Sequence, residues 1–277
     1  MGIRFRSTLL ANFRYKFNKQ TLPKYKYQIK NSLFYYDIFA GRFKPIELQK
    51  FCFFYKPEVP DFGKDFHYLK LGKKENIFNP LNYNVIFEAD LPVNLSQYNE
   101  FLLDYSGIYA LIQNNLIKKK YILIIHYDTL ILHQRWLEII MSKLKKNNVI
   151  FSTWPIGGVG NDIGKWIYSR IDDVFLASHQ KPFSSYIKKY KINRLPNTSQ
   201  FACCQETFDA LGRFLLPIYN YILKQNDISF LYAHLLERAW GLFFAIETYK
   251  TVPVIKDSHN QANNYLKKCC EQTNKNE

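Results

Sequence analysis

The feature that most constrains the fold is an apolar run, YILIIHYD at 121–128, which closes on three polar residues. Its first five residues carry no charge and include three isoleucines, which is typical of a strand buried on both faces of a sheet. We predict a buried strand over 119–125, with His126, Tyr127 and Asp128 emerging at its carboxyl end. The alternative is a strand that simply turns polar where it reaches the protein surface.

The remaining segments alternate between strand and helix patterns. Strands are predicted at 49–56, 66–72, 83–90 and 149–156, and amphipathic helices at 94–117 and 133–148. Such alternation favours an α/β domain with a mostly parallel sheet flanked by helices. In such sheets ligands bind in the crevice at the carboxyl ends of the strands, where His126, Tyr127 and Asp128 are expected to lie.

The composition is that of a globular protein. Apolar residues make up 47% of the 277 residues, and there are only 11 glycines and 11 prolines, so low-complexity disorder is not expected. We predict a basic arm at 1–45, one main domain at 46–265 and a polar tail at 266–277.

The positive charge is concentrated near the start of the chain. The formal net charge is +15, and residues 1–30 contain eight lysines or arginines and no acidic residue. Aromatic and leucine side chains lie between these cations, so the segment could lie on an anionic membrane surface. The same pattern could bind a nucleic-acid backbone, or could be a solvated terminus whose aromatics pack on the domain.

Targeting and redox signals are weak. No stretch reaches the roughly 18 uncharged apolar residues needed to span a bilayer, and no signal-peptide core is visible, so we expect a cytoplasmic protein. The five cysteines have neither zinc-ligand spacing nor the pattern of a disulfide framework.

Two neighbouring segments resemble a known family. DYSGIYALIQN at 104–114, followed by YILIIHYD, is similar to the signature of a group of bacterial GT-A-type glycosyltransferases from capsule and lipopolysaccharide gene clusters. In that group a Glu-x-Thr-small-x-Tyr helix precedes a strand ending in His-Tyr-Arg-Arg. Here Asp104 stands for the Glu, Ser106 for the Thr and Gly107 for the small residue. The matching residues are Tyr109, Asn114, His126 and Tyr127.

The resemblance covers about residues 50 to 260 and extends to two later segments. SQFACCQETFDALGRFLLPIYNYIL at 199–223 is similar to a family segment of a buried strand and a long helix, and LLERAWGLFFA at 235–245 to a late Glu-Arg helix. It implies a GT-A-like (Rossmann-like) fold and transfer of a sugar from a nucleotide sugar to a capsular or lipopolysaccharide glycan, on a lipid carrier. The substrate-binding residues it implies are Ser106, Tyr109, His126, Tyr127, Gln205 and Arg238.

This chain departs from the family where paired arginines commonly follow His-Tyr, because Asp128 and Thr129 stand there instead. A single carboxylate after this strand resembles the degenerate metal motif of GT-A enzymes, so we predict that Asp128 holds Mg²⁺ or Mn²⁺ on the donor diphosphate. A metal-free site is the alternative. For the second ligand we predict His259, with Asp257 close by in sequence; otherwise this segment is an exposed polar turn.

Three further polar residues are candidates for the chemistry. Glu237 is a charged residue in an otherwise apolar helix, where burial would raise its pKa and Arg238 or His234 would keep it ionised. It is either the general base or half of a structural Glu-Arg pair. After a glycine-rich loop, Asn161 and Asp162 are expected to touch donor hydroxyls, with Asp162 a second catalytic candidate; a plain flexible turn is the alternative.

The sequence therefore predicts a glycosyltransferase on the inner face of the cell membrane, with a nucleotide sugar and a lipid-linked or polysaccharide glycan as substrates. It does not decide between inverting and retaining chemistry. Two other classes stay open: a basic nucleic-acid-binding protein, which we favour less, and a scaffold that keeps the fold without a working site.

Overall fold

The computed structural model describes residues 46–132, 134–144, 147–155, 162–226, 228–229, 231–247, 249–252 and 254–257. The basic arm at 1–45 and the polar tail at 266–277 lie outside these ranges, so the predicted domain boundaries stay predictions. The strands are β1 (Leu48–Phe54), β2 (Phe66–Lys70), β3 (Val85–Phe87), β4 (Tyr121–His126), β5 (Thr129–Ile131), β6 (Asn148–Ile150), β7 (Thr153–Pro155), β8 (Arg194–Pro196), β9 (Phe201–Cys204), β10 (Tyr249–Thr251) and β11 (Ile255–Asp257).

The helices alternate with these strands. They are α1 (Asn99–Leu102), α2 (Asp104–Gln113), α3 (Trp136–Leu144), α4 (Asp162–His179), α5 (Phe183–Tyr190), α6 (Gln205–Ile222) and α7 (Leu231–Ile246). Short 3-10 turns at Glu88–Asp90 and Ser96–Tyr98 lie between β3 and α1. No helix in the described ranges is long and apolar enough to cross a bilayer.

Seven of the described strands form one sheet in the order β10-β6-β9-β4-β1-β2-β3. The pairs β1/β2, β1/β4, β2/β3 and β6/β10 are parallel, whereas β9 runs antiparallel to both β4 and β6. The predicted α/β class with a mostly parallel sheet flanked by helices is therefore confirmed. Because β9 runs against its neighbours, the start of β9 lies at the sheet edge where the parallel strands end.

Strand β4 lies in the middle of this sheet, as the apolar run predicts. Residues 122–125 have no exposed surface, and His126 is 7% exposed. The buried strand thus extends to His126, one residue beyond the predicted end. The core continues onto α6 and α7, where Phe201 of β9 packs against Trp240 at a ring-centroid distance of 5.6 Å and Phe244 at 5.1 Å.

The segment 94–117 is not the single helix that its pattern predicts. The chain breaks at Leu103, whose φ of +51° is unusual for a residue with a side chain. The amide of Asn99 donates to the Leu103 carbonyl at 3.0 Å and stabilises the break. As a result Asp104 is the first residue of α2 instead of a residue within a longer helix.

The apolar segment 149–156, predicted as one strand, also divides in two. Its first residues belong to β6 in the main sheet, and its later residues form β7, which pairs with β8 in a separate two-stranded sheet. Local apolar character cannot distinguish one strand from two that hydrogen-bond to different partners. A second small sheet joins β5 to β11, with Thr129 opposite Asp257.

Candidate active site

One edge of the main sheet collects the polar groups that follow its strands. We call it the carboxyl edge; it is marked by Tyr55 after β1, Gly72 after β2, Glu88 after β3, Tyr127 after β4 and Gln200 before β9. Ligand crevices of open α/β sheets lie at this edge. The edge is therefore where the predicted site residues are to be sought.

His126, Asp104 and Ser199 form a hydrogen-bonded cluster at the carboxyl edge. The Ser199 hydroxyl donates to Oδ2 of Asp104 at 3.2 Å, and its Oγ lies 2.9 Å from Nε2 of His126. A serine hydroxyl has one hydrogen, so Nε2 of His126 is the donor in the second bond. The chain of donors thus runs from His126 through Ser199 to the Asp104 carboxylate.

A side-chain network closes the turn that carries Asp128. The Thr129 hydroxyl accepts a bond from the His126 backbone N–H at 3.1 Å and donates to Oε1 of Gln200 at 2.8 Å. Both Thr129 and Gln200 are buried. Because the turn is tied to β9 in this way, Tyr127 and Asp128 are presented at the edge, where both are half-buried.

Tyr127 pairs with Tyr55, its counterpart at the end of β1. Their hydroxyl oxygens lie 2.7 Å apart and their rings meet edge to face. The buried Lys70 ammonium donates to the Tyr55 carbonyl at 3.0 Å and fixes the start of the loop that follows β1. Burial raises the pKa of Tyr127, and the bond to Tyr55 and the negative charges of Asp128 and Asp104 raise it further. Both carboxylates are therefore near the tyrosine pair.

Ser106 and Tyr109 support the edge instead of lining it. Ser106 has no exposed surface, and its hydroxyl lies 3.1 Å from Oε2 of Glu88, which also accepts the Gly72 N–H at 2.8 Å. The half-buried Tyr109 packs against Tyr219 at a centroid distance of 5.0 Å. Ser106 is buried among these contacts, and its predicted contact with a substrate stays a prediction.

Glu237 of α7 holds the loop that precedes β9. The Thr198 backbone N–H donates to Oε1 at 3.0 Å, and Arg238 donates to Oε2 at 2.8 Å. Burial acts to raise the pKa of Glu237, but His234, Arg238 and Thr198 outweigh it, so that the pKa is lowered. A lowered pKa and two occupied oxygens favour the structural Glu-Arg pair over the general base.

Other predicted site residues are not brought to this edge. Gln205 begins α6 and donates its backbone N–H to the Lys120 carbonyl, at the opposite end of β4 from His126. At about 3.3 Å per residue, the strand separates Gln205 from His126 by roughly 15 Å or more, so one small substrate cannot contact both through this cluster. Asn161, His259 and the side chain of Asp162 lie outside the described part of the chain.

Whether a divalent cation fits the carboxyl edge depends on Asp128. The described residues contain no group of three histidine, cysteine or acidic side chains that could hold a metal. Magnesium, however, is commonly bound by one or two carboxylates together with substrate phosphates, so one carboxylate at the edge suits a cation that arrives with a diphosphate. The β5/β11 pairing also places the backbone of Asp257 opposite Thr129, beside Asp128 in sequence.

Comparison with protein families finds no matching family, and no curated protein matches this sequence. Among solved structures, the chain is similar to the apo structure of the bifunctional glycosyltransferase WbbM, with a TM-score of 0.56 and 13% sequence identity. The match covers 74% of this chain and 44% of the WbbM chain, so this chain spans less than half of that length. The chain has a glycosyltransferase-like fold.

Within this glycosyltransferase-like fold, sequence reasoning missed Tyr55, Thr129, Ser199 and Gln200 and gave Asp104 no role. Tyr55 directly follows a predicted strand, so the rule that placed Tyr127 at the edge could have found it. Ser199 and Gln200 had no such signal, because they precede β9 and reach the edge only through its antiparallel direction.

Proposed function

We propose that this chain is a glycosyltransferase that takes its sugar from a nucleotide-sugar donor. The observation that carries the proposal is the position of Asp128, half-buried at the carboxyl end of the central strand of a glycosyltransferase-like sheet. The name of WbbM supports the same activity for a protein of similar fold. Because that similarity is one of fold, the activity rests on the residues of this edge.

A cleft beside the edge supports the binding of a nucleotide. It has a volume of about 730 Å³ and is lined by Lys74, Glu75, Asn76, Ile77 and Phe87, which follow β2 or belong to β3. Small-molecule sites commonly have volumes of about 300–1,000 Å³, and the volume of this cleft falls within that range. Lys73 is exposed next to Gly72 and would supply positive charge for phosphates, whereas Lys74 is paired with Asp90 at 2.8 Å.

The phosphates themselves would lie near Asp128, with Mg²⁺ or Mn²⁺ between them. When bound, such a cation neutralises the negative charge that develops on the diphosphate as the bond to the sugar breaks. Tyr55 and Tyr127 would line the same space, since both follow adjacent parallel strands. His259 remains a proposed second ligand, because its segment continues from β11.

For the acceptor, we propose a capsular polysaccharide or lipopolysaccharide glycan on a lipid carrier. The family resemblance supports this, and the basic, aromatic residues 1–30 would hold the protein on an anionic membrane surface beside that carrier. The acceptor would reach the sugar from the open side of the carboxyl edge, past Asp104 and Asp128.

The test is a thermal-shift screen of UDP-glucose, UDP-galactose, UDP-N-acetylglucosamine and GDP-mannose, each with and without MnCl₂. A ligand at about 100 times its dissociation constant stabilises the folded state by about 2.7 kcal/mol, so a true donor raises the melting temperature measurably. The matched pair of variants is Asp128→Asn and Asp209→Asn; Asp209 is exposed on α6. We expect Asp128→Asn to lose the metal-dependent shift and Asp209→Asn to keep it.

Two outcomes oppose the proposal. Stabilisation by none of the nucleotide sugars, together with binding of mixed single-stranded DNA that weakens steeply with salt, favours a nucleic-acid-binding protein. Binding of a donor without any hydrolysis or transfer favours a scaffold that has kept the fold and lost the chemistry.

A further inference from the structure

Asp104 is held at one carboxylate oxygen and open at the other. Oδ2 accepts the Ser199 hydroxyl at 3.2 Å and lies 3.4 Å from Nε2 of His126. From the residues that the structure describes, Oδ1 receives no hydrogen bond. The side chain is 28% exposed, whereas the His126 side chain is 9% exposed. One oxygen thus fixes the orientation and the other can meet a substrate.

The backbone before Asp104 adds to this fixed position. Leu103 has φ +51° and ψ −134°, a conformation that costs about 1–3 kcal/mol for a residue other than glycine. The break places Asp104 at the start of α2, where the helix dipole favours a negative charge. Strain of this kind persists where surrounding contacts hold it, here the bond from the Asn99 amide to the Leu103 carbonyl.

The cluster has the residue types of a hydrolytic triad but not its geometry. In a Ser-His-Asp triad the aspartate holds one ring nitrogen of the histidine and the serine faces the other. Here Ser199 and Asp104 both approach Nε2 of His126. Ser199 also donates its hydrogen to the carboxylate and is 2% exposed, so it is not the nucleophile.

A general base must lie within hydrogen-bond reach of the acceptor hydroxyl, and one of its oxygens must be free to take the proton. Both oxygens of Glu237 already accept hydrogen bonds, from Thr198 and Arg238. Asp128 is the proposed partner of the diphosphate. Asp104 lies at the same edge as Asp128, since its Oδ2 is 3.4 Å from Nε2 of His126, two residues before Asp128. Glu88, also at this edge, has no exposed surface, so of the described carboxylates there Asp104 best suits proton transfer.

We propose that Asp104 is the general base of an inverting sugar transfer, and that His126 and Ser199 position it. This inference rests on the proposed glycosyltransferase function. The acceptor oxygen forms a bond to the anomeric carbon as the bond from that carbon to the diphosphate oxygen breaks. The electron pair of the broken bond leaves with the diphosphate. The acceptor proton passes to Oδ1 of Asp104 and from there to solvent.

The test uses the full-length protein and the donor that gives the largest thermal shift among the four nucleotide sugars, with water as the acceptor. Asp104→Asn keeps the size of the side chain but not its basicity, so we expect hydrolysis to slow about 10²- to 10⁴-fold. The donor-induced thermal shift should stay as in the wild type. Asp209→Asn is the matched control and should hydrolyse the donor at the wild-type rate.

Positioning by Ser199 is tested with Ser199→Ala. We expect kcat to fall while KM stays unchanged, because the variant removes the hydrogen bond that orients Asp104 but no contact with the substrate. A purely structural role for Ser199 would instead lower the melting temperature and leave kcat of the folded protein as it is. That result would overturn the positioning role.

The configuration of the released sugar gives an independent test. Proton NMR in the first minutes of hydrolysis should show the anomer opposite to that of the donor. Retention of configuration overturns the role of Asp104 as base, and so does hydrolysis by Asp104→Asn at the wild-type rate. If the donor still binds in either case, the proposed glycosyltransferase function is not contradicted. Failure of the wild type to bind any donor overturns that proposal, and the base with it.

Discussion

The backbone of Asp257 lies opposite Thr129 in the antiparallel pair of β5 and β11. Thr129 directly follows Asp128 in the sequence. Thr129 in turn donates to Gln200 in front of β9. Three segments that are far apart in the chain therefore meet at the turn that carries Asp128. This arrangement places the backbone of Asp257, two residues before His259 in sequence, beside the turn that carries Asp128.

Asp128→Asn should remove most of the metal-dependent part of nucleotide binding. An amide keeps the shape of the side chain but carries no charge for a divalent cation. Isothermal titration with UDP, with MnCl₂ or with EDTA, measures this. We expect EDTA to weaken binding to the wild type at least tenfold and to change little in the variant. An equal effect of EDTA on both proteins would show that Asp128 holds no metal.

Glu237→Gln should lower stability more than activity. Loss of the charge weakens the bonds to Thr198 and Arg238, which we expect to cost about 1–3 kcal/mol of unfolding free energy at pH 7. Since the pKa of Glu237 is lowered in the folded state, its contribution is present above the ordinary glutamate pKa and is lost as the pH falls through the lowered value. Urea unfolding of both proteins from pH 7 to pH 3 should show the difference shrinking. A large loss of kcat with unchanged stability would instead restore Glu237 as the base.

Glu88 should show the opposite pH dependence. Burial raises its pKa, and the bonds from Gly72, Ser106 and Leu95 offset this only in part. A carboxyl group with a raised pKa stabilises the fold below its ordinary pKa and loses that contribution as the pH rises through the raised value. Relative to the wild type, Glu88→Gln should therefore gain stability between pH 4 and pH 7. Urea unfolding at both pH values measures it, and a difference independent of pH would contradict it.

Glu88→Ala is the companion variant. It leaves the Gly72 N–H without its acceptor, which we expect to cost about 1–3 kcal/mol at pH 4 and less at pH 7, because the wild type loses the contribution of Glu88 as the pH rises.

Gly241→Ala should disturb the site from within α7. A Cβ at this position would clash with the Pro196 carbonyl oxygen, so β8 would have to move together with the chain that leads to Ser199. Overpacking of this kind costs about 1–3 kcal/mol, and here the obstacle is backbone. Chemical denaturation and donor hydrolysis should both show a loss. Gly212→Ala in α6 is the matched control, because its Cβ would meet only the Ile112 side chain, at 3.0 Å.

Much of the fold could be predicted from local patterns, because β4 is a continuous apolar run and its neighbours alternate with amphipathic helices. The position of Tyr127 and Asp128 at the carboxyl edge followed from the rule for parallel sheets. The break at Leu103 could not be predicted, since no glycine, proline or asparagine stands at that position. A hydrogen bond from the Asn99 amide to the Leu103 carbonyl stabilises the break, and no residue spacing indicates that bond.

The candidate site was harder to predict than the fold. Ser199 and Gln200 reach the edge because β9 is antiparallel to its neighbours, and the apolar pattern of a strand does not indicate its direction. Glu237 shows the other difficulty. A charged residue in an apolar helix suggests a catalytic role, whereas the contacts of Glu237 with Thr198 and Arg238 favour a structural role.

The proposed function requires a nucleoside diphosphate to bind at the carboxyl edge beside Asp128. Hydrogen–deuterium exchange of the full-length protein, with and without UDP or GDP in the presence of MnCl₂, tests this binding at the residues concerned. We expect slower exchange in 71–77 and 126–130, with no change in 208–216 at the opposite edge. Protection confined to 208–216, or no protection at the carboxyl edge with either nucleotide at saturating concentration, would contradict it.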